Sequence, residues 1–328
     1  MSNKILIVGL GSIGKRHLKI LKIIKPKAKI AILSHKEKEL HKASALETFY
    51  DIDKAISFEP DSALICNPSA LHLSIAKELL KNDIDLFIEK PLSNNIQEAM
   101  EFEILVNRSK ILVQVGYNLR FTKSMQLIKE LLDKQKIGRI LSFRSEVGSY
   151  LPDWRKTGDY REQVSAKKEL GGGVLLELSH EIDYLLWLFG KPAWLNANIS
   201  KQSQLSIDVE DNVNLMLSFK KQNINGSLNM DFYRRDPTRN LTIIGTAGSI
   251  KWDGIKGIVS MFRPETDWNT LKTFENEINN SYEDQLLSFF NSIKEKKETL
   301  VTLADGIGTL KVIEAAKESN SLGKKVHL

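Results

Sequence analysis

Hydrophobic positions in the first third of the chain fall into short unbroken runs separated by helical patterns. Runs at residues 4–9, 29–33, 48–50, 62–66, 85–88 and 111–115 predict strands. Between them, residues 14–24, 70–81 and 95–107 repeat apolar side chains at steps of three and four, the spacing of one helix face. Strands that are apolar throughout, alternating with helices, predict a parallel sheet covered on both faces. Six such strands fit a doubly wound α/β domain.

After about Leu119 the period changes. Val213, Leu215, Leu217 and Phe219 alternate with polar residues, and Ile224, Gly226, Leu228, Met230 and Phe232 resume the alternation after the turn-like "KKQN". Further strands are predicted at 140–147, 194–200, 241–245, 249–253 and 257–262. Alternation of period two with short connections predicts a large open antiparallel sheet, covered on one face only. Helices at 283–296 and 303–319 close the chain, and the last is expected to pack back on the first domain. The expected division is 1–119 for a Rossmann-type domain and 120–328 for an α+β domain.

Residues 171–190, "GGGVLLELSHEIDYLLWLFG", predict a single helix with two stripes. Leu175, Leu178, Ile182, Leu185 and Phe189 form an apolar face. Glu177, His180, Tyr184 and Trp187 recur on the other side, with Asp183 beside them. A solvated face would carry lysines and glutamates rather than Trp and Tyr, so this stripe reads as the wall of a cleft.

Composition narrows what such a cleft holds. With 42% apolar and 27% charged residues and no biased segment, the chain has a globular make-up. Its longest apolar run, "ILIVGLG", is too short to span a bilayer, and its glycines with no cleavage site argue against a signal sequence. The single cysteine, Cys66, excludes an internal disulfide, reads as a buried structural thiol, and fits a reducing cytoplasm. The net charge of +6 is dispersed, with no basic stripe interleaved with aromatics, so nucleic acid is not the expected partner. A basic balance also steers small anionic ligands.

"KILIVGLGSIGKRH" places Gly9, Gly11 and Gly14 where the first strand passes into the first helix. The first glycine permits the tight turn, the second lets a pyrophosphate approach, and the third lets helix and strand pack closely. Ser12 and Ile13 open the helix whose free N–H groups would face the phosphates. An acid about 20 residues on would bind the 2′-hydroxyl of NAD. Here that place reads "LSHK": Ser34 can hydrogen-bond a 2′-phosphate, and His35 or Lys36 can pair with its charge, so NADP is favoured over NAD. No set of side chains has metal-ligand spacing.

"DLFIEKPLS" sets Lys90 before a proline at a strand's carboxyl end, where such sheets bind ligands. Alone it would read as a solvated lysine. Taken in order with the glycine turn, "CNPSALH", "QVGYNLRF", "AKKELGGG" and a helical histidine, it resembles the Gfo/Idh/MocA family of NAD(P)-dependent oxidoreductases over nearly the whole chain. The resemblance implies a Rossmann domain, an α/β domain with a large open sheet often used for oligomerisation, and hydride transfer on sugars, inositols or related polyols. It maps the lysine and histidine beside nicotinamide and substrate to Lys90 and His180, and places Asn67, Pro68, His72, Glu89 and Asn118 around the cofactor or cleft, with Tyr117 on the substrate side. The family's usual acid four residues before the histidine is replaced here by Leu176, and the acid is Glu177, three before. Glu177 and Asp183 therefore compete as partners of the imidazole. "LSHEIDYLLWLFG", "YLPDW" and "RRDPTR" look most like members associated with surface-polysaccharide or acidic-sugar biosynthesis.

In this reading His180 is the general base in oxidation and acid in reduction, and Lys90 stabilises the developing alkoxide. Arg155, Arg161, Arg235 and Arg239 are candidates for an anionic substituent, and Tyr184 for the substrate wall. The expected partners are a small carbohydrate substrate and further copies of the chain, as a homodimer or homotetramer through apolar surface on the open sheet face. A nicotinamide-binding sensor or a scaffold subunit would need neither proton carrier.

Overall fold

The computed structural model describes residues 4–34, 46–154, 158–219 and 223–328. They fold as two units. Unit one contains residues up to Tyr117 together with Tyr282–Ile307, and unit two contains Asn118–Ser281 with Gly308–Leu328. The first unit thus takes back a segment from near the end of the chain, which the hydrophobic pattern does not announce.

In chain order, unit one runs β1 Lys4–Val8, α1 Ser12–Ile24, β2 Lys29–Leu33, β3 Glu47–Phe49, α2 Ile52–Ser57, β4 Ser62–Ile65, α3 His72–Leu80, β5 Asp85–Ile88, α4 Ile96–Val106 and β6 Val113–Val115. Its six strands pair in the order β3-β2-β1-β4-β5-β6, all parallel. Order reverses between β1 and β4, so the carboxyl ends of these two strands flank the switch point where doubly wound sheets bind ligands. Ile5, Ile7, Leu64 and Phe87 of the sheet pack with Leu18 and Leu21 of α1 and with Leu286, Phe289 and Phe290 from the returning segment. Each such side chain contributes about 1.5–3 kcal/mol by leaving water.

Unit two adds α5 Lys123–Asp133, β7 Ile140–Gly148, α6 Val174–Glu177, α7 His180–Phe189, β8 Trp194–Ser200, β9 Asn212–Phe219, β10 Ile224–Asp231, β11 Thr238–Gly245, β12 Ser249–Asp253, β13 Ile258–Arg263 and β14 Asp267–Thr273. The chain closes with α8 Glu277–Glu295, α9 Leu303–Leu322 and β15 Val326–His327. α9 belongs to unit one as far as Ile307, where Gly306 lies against Leu92 and Val115, and to unit two from Gly308 onward. Nine strands form one sheet, β14-β13-β12-β11-β7-β10-β9-β8-β15. It is mixed rather than purely antiparallel, because β10 pairs with β7 in parallel.

The covered face packs α7 on the sheet. Phe189 stacks on Phe143 at 5.1 Å between ring centres and meets Phe219 edge-on at 5.6 Å. The other face is polar. One row across the paired strands reads Asn198, Asn214, Asn229, Glu146, Asn240 and Asp253, and Asn240 donates to Glu146 at 3.2 Å. Arg144, Thr242, Lys251 and Ser260 line a cavity of about 590 Å³ on this face. Apolar surface there is confined to Met216 and Trp268, both exposed, with Ile258 and Phe262 partly so beside Trp268; the central rows are polar.

Candidate active site

The glycine turn has the geometry its spacing predicts. Gly9, just past β1, has φ +85, and a Cβ there would come within 2.9 Å of the Asn67 nitrogen. A Cβ on Gly14 would run into the Gly9 carbonyl oxygen, so helix and strand touch backbone to backbone. A Cβ on Gly11 would meet nothing within 4 Å. Gly11 is also the N-cap of α1, whose start has neither a side-chain cap nor an acidic residue in its first turn. Open space in front of uncapped, positively polarised N–H groups fits a pyrophosphate. Ser12 and Ile13 begin that helix, and Ile13 leans on the unit's core. Ser34 lies just past β2, buried, with its N–H on the Phe49 carbonyl. His35 and Lys36 lie outside the described residues.

At the ends of β4 and β5 the polar side chains brace one another. Asn67 donates to the Leu71 carbonyl at 3.3 Å, while its buried Oδ1 has no hydrogen-bond partner among the described residues. Pro68 leads into a 3-10 turn. His72, expected at the cofactor, has its ring nitrogens 2.8 Å and 3.0 Å from the carbonyls of Asn67 and Pro91. Burial lowers its pKa, and the ring ties the two strand ends together. Glu89 is buried against His17 of α1, 2.6 Å away. Burial, then the charge of Glu89, pushes the Cys66 thiol up, which makes it an inert core residue. Lys90, the second residue after β5, is half-buried and precedes a cis Lys90–Pro91 bond. Tyr117 is fully buried.

In unit two, the segment predicted as one helix is two. Gly171 and Gly173 have φ +83 and +105, and a Cβ on Gly172 would strike the Val164 carbonyl. This glycine strap delivers the chain into α6, where Glu210 accepts the Leu175 N–H at 3.0 Å. α6 stops after one turn; the Ser179 hydroxyl donates to the Leu176 carbonyl at 2.8 Å, and α7 begins at His180. Glu177 and His180 therefore do not share a continuous helical face, and spacing alone no longer pairs them.

Two arginines, one of them buried, hold the first turn of α7. Arg120 forks onto Asp183 at 2.9 and 2.7 Å, both side chains almost wholly buried, and its guanidinium lies 5.8 Å from the Trp187 ring. Arg239 donates to buried Glu181 at 2.7 Å. Asp183, expected as a partner for the imidazole, is thus chiefly the counter-ion of Arg120, and Arg239, expected for substrate, is that of Glu181. Neither Arg120 nor Glu181 stood out in the sequence; an arginine just after a strand and an acid on an apolar helix were the available signals. Tyr184, expected on the substrate wall, is wholly buried, its hydroxyl 2.6 Å from that of Ser145 and its ring edge-on to Trp252. Asn118, expected near the cofactor, is buried and donates to the Ser281 hydroxyl at 2.7 Å. Arg161 is exposed on Asp159, Arg235 is exposed 3.5 Å over the Tyr150 ring, and Arg155 lies outside the described residues. Among the described residues no cluster could hold a metal ion and no helix is long and apolar enough to cross a membrane.

A parallel sheet with this turn, followed by a large sheet-based unit, defines the class of dinucleotide-dependent oxidoreductases. The chain belongs to the Gfo/Idh/MocA oxidoreductase family: residues 3–117 match its NAD-binding Rossmann fold and residues 129–328 its C-terminal alpha/beta domain. It is an NAD(P)-dependent dehydrogenase or reductase acting on CH–OH groups. It is similar to the uncharacterized oxidoreductase YrbE of Bacillus subtilis, with 24% identity over 98% of this chain and 95% of that protein. Its fold superposes on a levoglucosan dehydrogenase in complex with NADH, at TM-score 0.87 and 22% identity over 99% of this chain and 98% of the other. The fold also matches the WlbA dehydrogenase from Bordetella pertussis in complex with NADH and UDP-GlcNAcA, at TM-score 0.86 and 20% identity over 100% and 99% of the two chains.

Proposed function

We propose that the enzyme moves hydride between a nicotinamide cofactor and a hydroxyl- or keto-bearing carbon of a sugar, nucleotide sugar or polyol, with an acidic sugar of surface-polysaccharide biosynthesis as the favoured class. The observation that carries this reading is in unit one. The glycine turn follows β1 and Lys90 follows β5, so both stand at carboxyl ends of one parallel sheet, separated by β4 alone. A lysine beside a dinucleotide's place is positioned for chemistry on whatever the nicotinamide meets. The WlbA likeness supports the acidic-sugar choice, as do the "YLPDW" and "RRDPTR" segments.

Gly9, Gly11, Ser12, Ile13 and Gly14 would hold the pyrophosphate, and Ser34, with His35 and Lys36, the 2′-phosphate of NADP. The bound nicotinamide supplies the hydride acceptor or donor. His180 takes the hydroxyl proton during oxidation and returns it during reduction. The Lys90 ammonium stabilises negative charge on the same oxygen. Glu177 orients the imidazole, since the Asp183 carboxylate is occupied by Arg120. The protein works in the cytoplasm as a homodimer or homotetramer through the open sheet face.

The test is absorbance of reduced nicotinamide during turnover with a panel of UDP-sugar acids, free sugars and inositols, each with NADP and with NAD. Turnover with a sugar acid and NADP is expected, and Ser34→Asp should move preference toward NAD by repelling the 2′-phosphate. Turnover with inositols alone overturns the acidic-sugar choice. Equal use of both cofactors, unmoved by the substitution, overturns the NADP preference.

A further inference from the structure

We infer that His17 is a positioning residue that locks the strand end carrying Lys90 to the helix carrying the phosphate-binding turn. The inference rests on the reading of Lys90 as the group that meets the substrate oxygen.

His17 stands one turn beyond Gly14 on α1 and is wholly buried. Its Nε2 lies 2.6 Å from Glu89 Oε1. The other carboxylate oxygen of Glu89 accepts the backbone N–H of Lys90 at 3.2 Å. The carboxylate is buried and lies over Gly116, where a Cβ would come within 3.0 Å of both Cδ and Oε2. The imidazole is equally confined, edge-on to Phe87 at 5.3 Å and to Tyr282 at 6.2 Å.

The hydrogen bonding selects one tautomer. His17 Nδ1 is buried with no hydrogen-bond partner among the described residues. An N–H on that atom would be a buried donor with nowhere to go, which costs more than an unused lone pair. The proton therefore sits on Nε2 and is donated to Glu89, which leaves the carboxylate to accept at both oxygens. The chain of contacts runs from the helix that receives the pyrophosphate, through His17 and Glu89, to the main chain of Lys90. Any shift of α1 is passed to the lysine as a change in where its backbone is held. His17 touches no reacting atom in this account; it acts through Glu89.

Three substitutions separate a directional donor from simple filling of space. His17→Leu keeps bulk and removes the donor. His17→Gln places an amide nitrogen where Nε2 stood, and His17→Asn places one nearer Nδ1, too short to reach Glu89. In the full-length enzyme, His17→Leu is expected to lower kcat about ten- to a hundredfold, as small misplacements of reacting groups do. Cofactor Kd by titration calorimetry should hold, and His17→Gln should recover most of the loss while His17→Asn does not. The Gln and Asn pair tests the idea even if the leucine variant fails to fold. Wild-type kcat in His17→Leu, or equal activity in the Gln and Asn variants, overturns the inference. Lys90→Ala run alongside keeps the two readings apart: if it retains turnover, the role of Lys90 fails; if it is inactive while every His17 variant is normal, the positioning role alone fails.

Discussion

Replacing Asp183 with asparagine should destabilise unit two severely. The Arg120–Asp183 fork has two bonds of 2.9 and 2.7 Å, with side chains 3% and 1% exposed, so water cannot compensate a lost partner. Asp183→Asn preserves shape but leaves the guanidinium charge buried without its counter-ion. Removing one member of a buried pair costs about 3–5 kcal/mol, equivalent to a fall of roughly 6–20 °C in the midpoint of a unit of this size. Scanning calorimetry resolves the transition, and near-ultraviolet circular dichroism, through Trp187 and Trp252, assigns it to this unit. The double variant Arg120→Met with Asp183→Leu removes both charges and should recover more than half of the loss, because the penalty lies in the orphaned charge rather than in the missing bond. A fall below about 2 °C in Asp183→Asn, less than 1 kcal/mol on the same scale, would show that the pair is not a structural clamp.

Three further outcomes follow from neighbouring contacts. Tyr184→Phe strands the buried Ser145 hydroxyl and should cost about 1–3 kcal/mol in denaturant unfolding while leaving substrate KM unchanged; a raised KM would return Tyr184 to the substrate wall. Burial pushes the Glu210 carboxyl above its ordinary value, so the folded state binds its proton more tightly than the unfolded chain does. That contribution is fully present below the ordinary value and is lost as pH rises from there through the raised folded-state value; Glu210→Gln, which still accepts the Leu175 N–H, should flatten this decline in a pH series of unfolding midpoints, and an unchanged slope would contradict the assignment. Light scattering should give a dimer or tetramer whose dissociation is promoted by salt, as a face of Asn, Arg, Glu and Lys requires; a salt-indifferent monomer would leave the face without a partner.

Legibility in the sequence followed the physics of each element. Apolar runs and glycine spacing are local, so β1, β2, β4 and β5, the turn at Gly9–Gly14 and the hairpin around Asn223 could be read directly. β14, "DWNTLKT", was missed because it is an edge strand exposed along nearly its whole length and carries no apolar alternation. The segment Tyr282–Ile307 completes unit one through Leu286, Phe289 and Phe290, whose helical pattern records an apolar face without naming what covers it. The break between α6 and α7 was hidden for a related reason: "ELSHE" contains no proline or glycine, and what marks the end of α6 is the Ser179 hydroxyl on the Leu176 carbonyl. Polar side chains on an apolar helix are unusual, but burial beside arginine and function at a cleft leave the same mark in a sequence: Asp183 is paired with Arg120, and Glu181, which the pattern did not single out, with Arg239.

The central claim is that His180 and Lys90 carry the proton and the charge in hydride transfer. Steady-state turnover of His180→Ala and Lys90→Ala, with cofactor Kd measured on the same preparations, tests it most directly. General acid–base help is worth about a hundred- to ten-thousandfold, so His180→Ala should lose at least a hundredfold in kcat with cofactor affinity intact, and Lys90→Ala should also lose turnover. Near-normal turnover in His180→Ala on the true substrate would contradict the account.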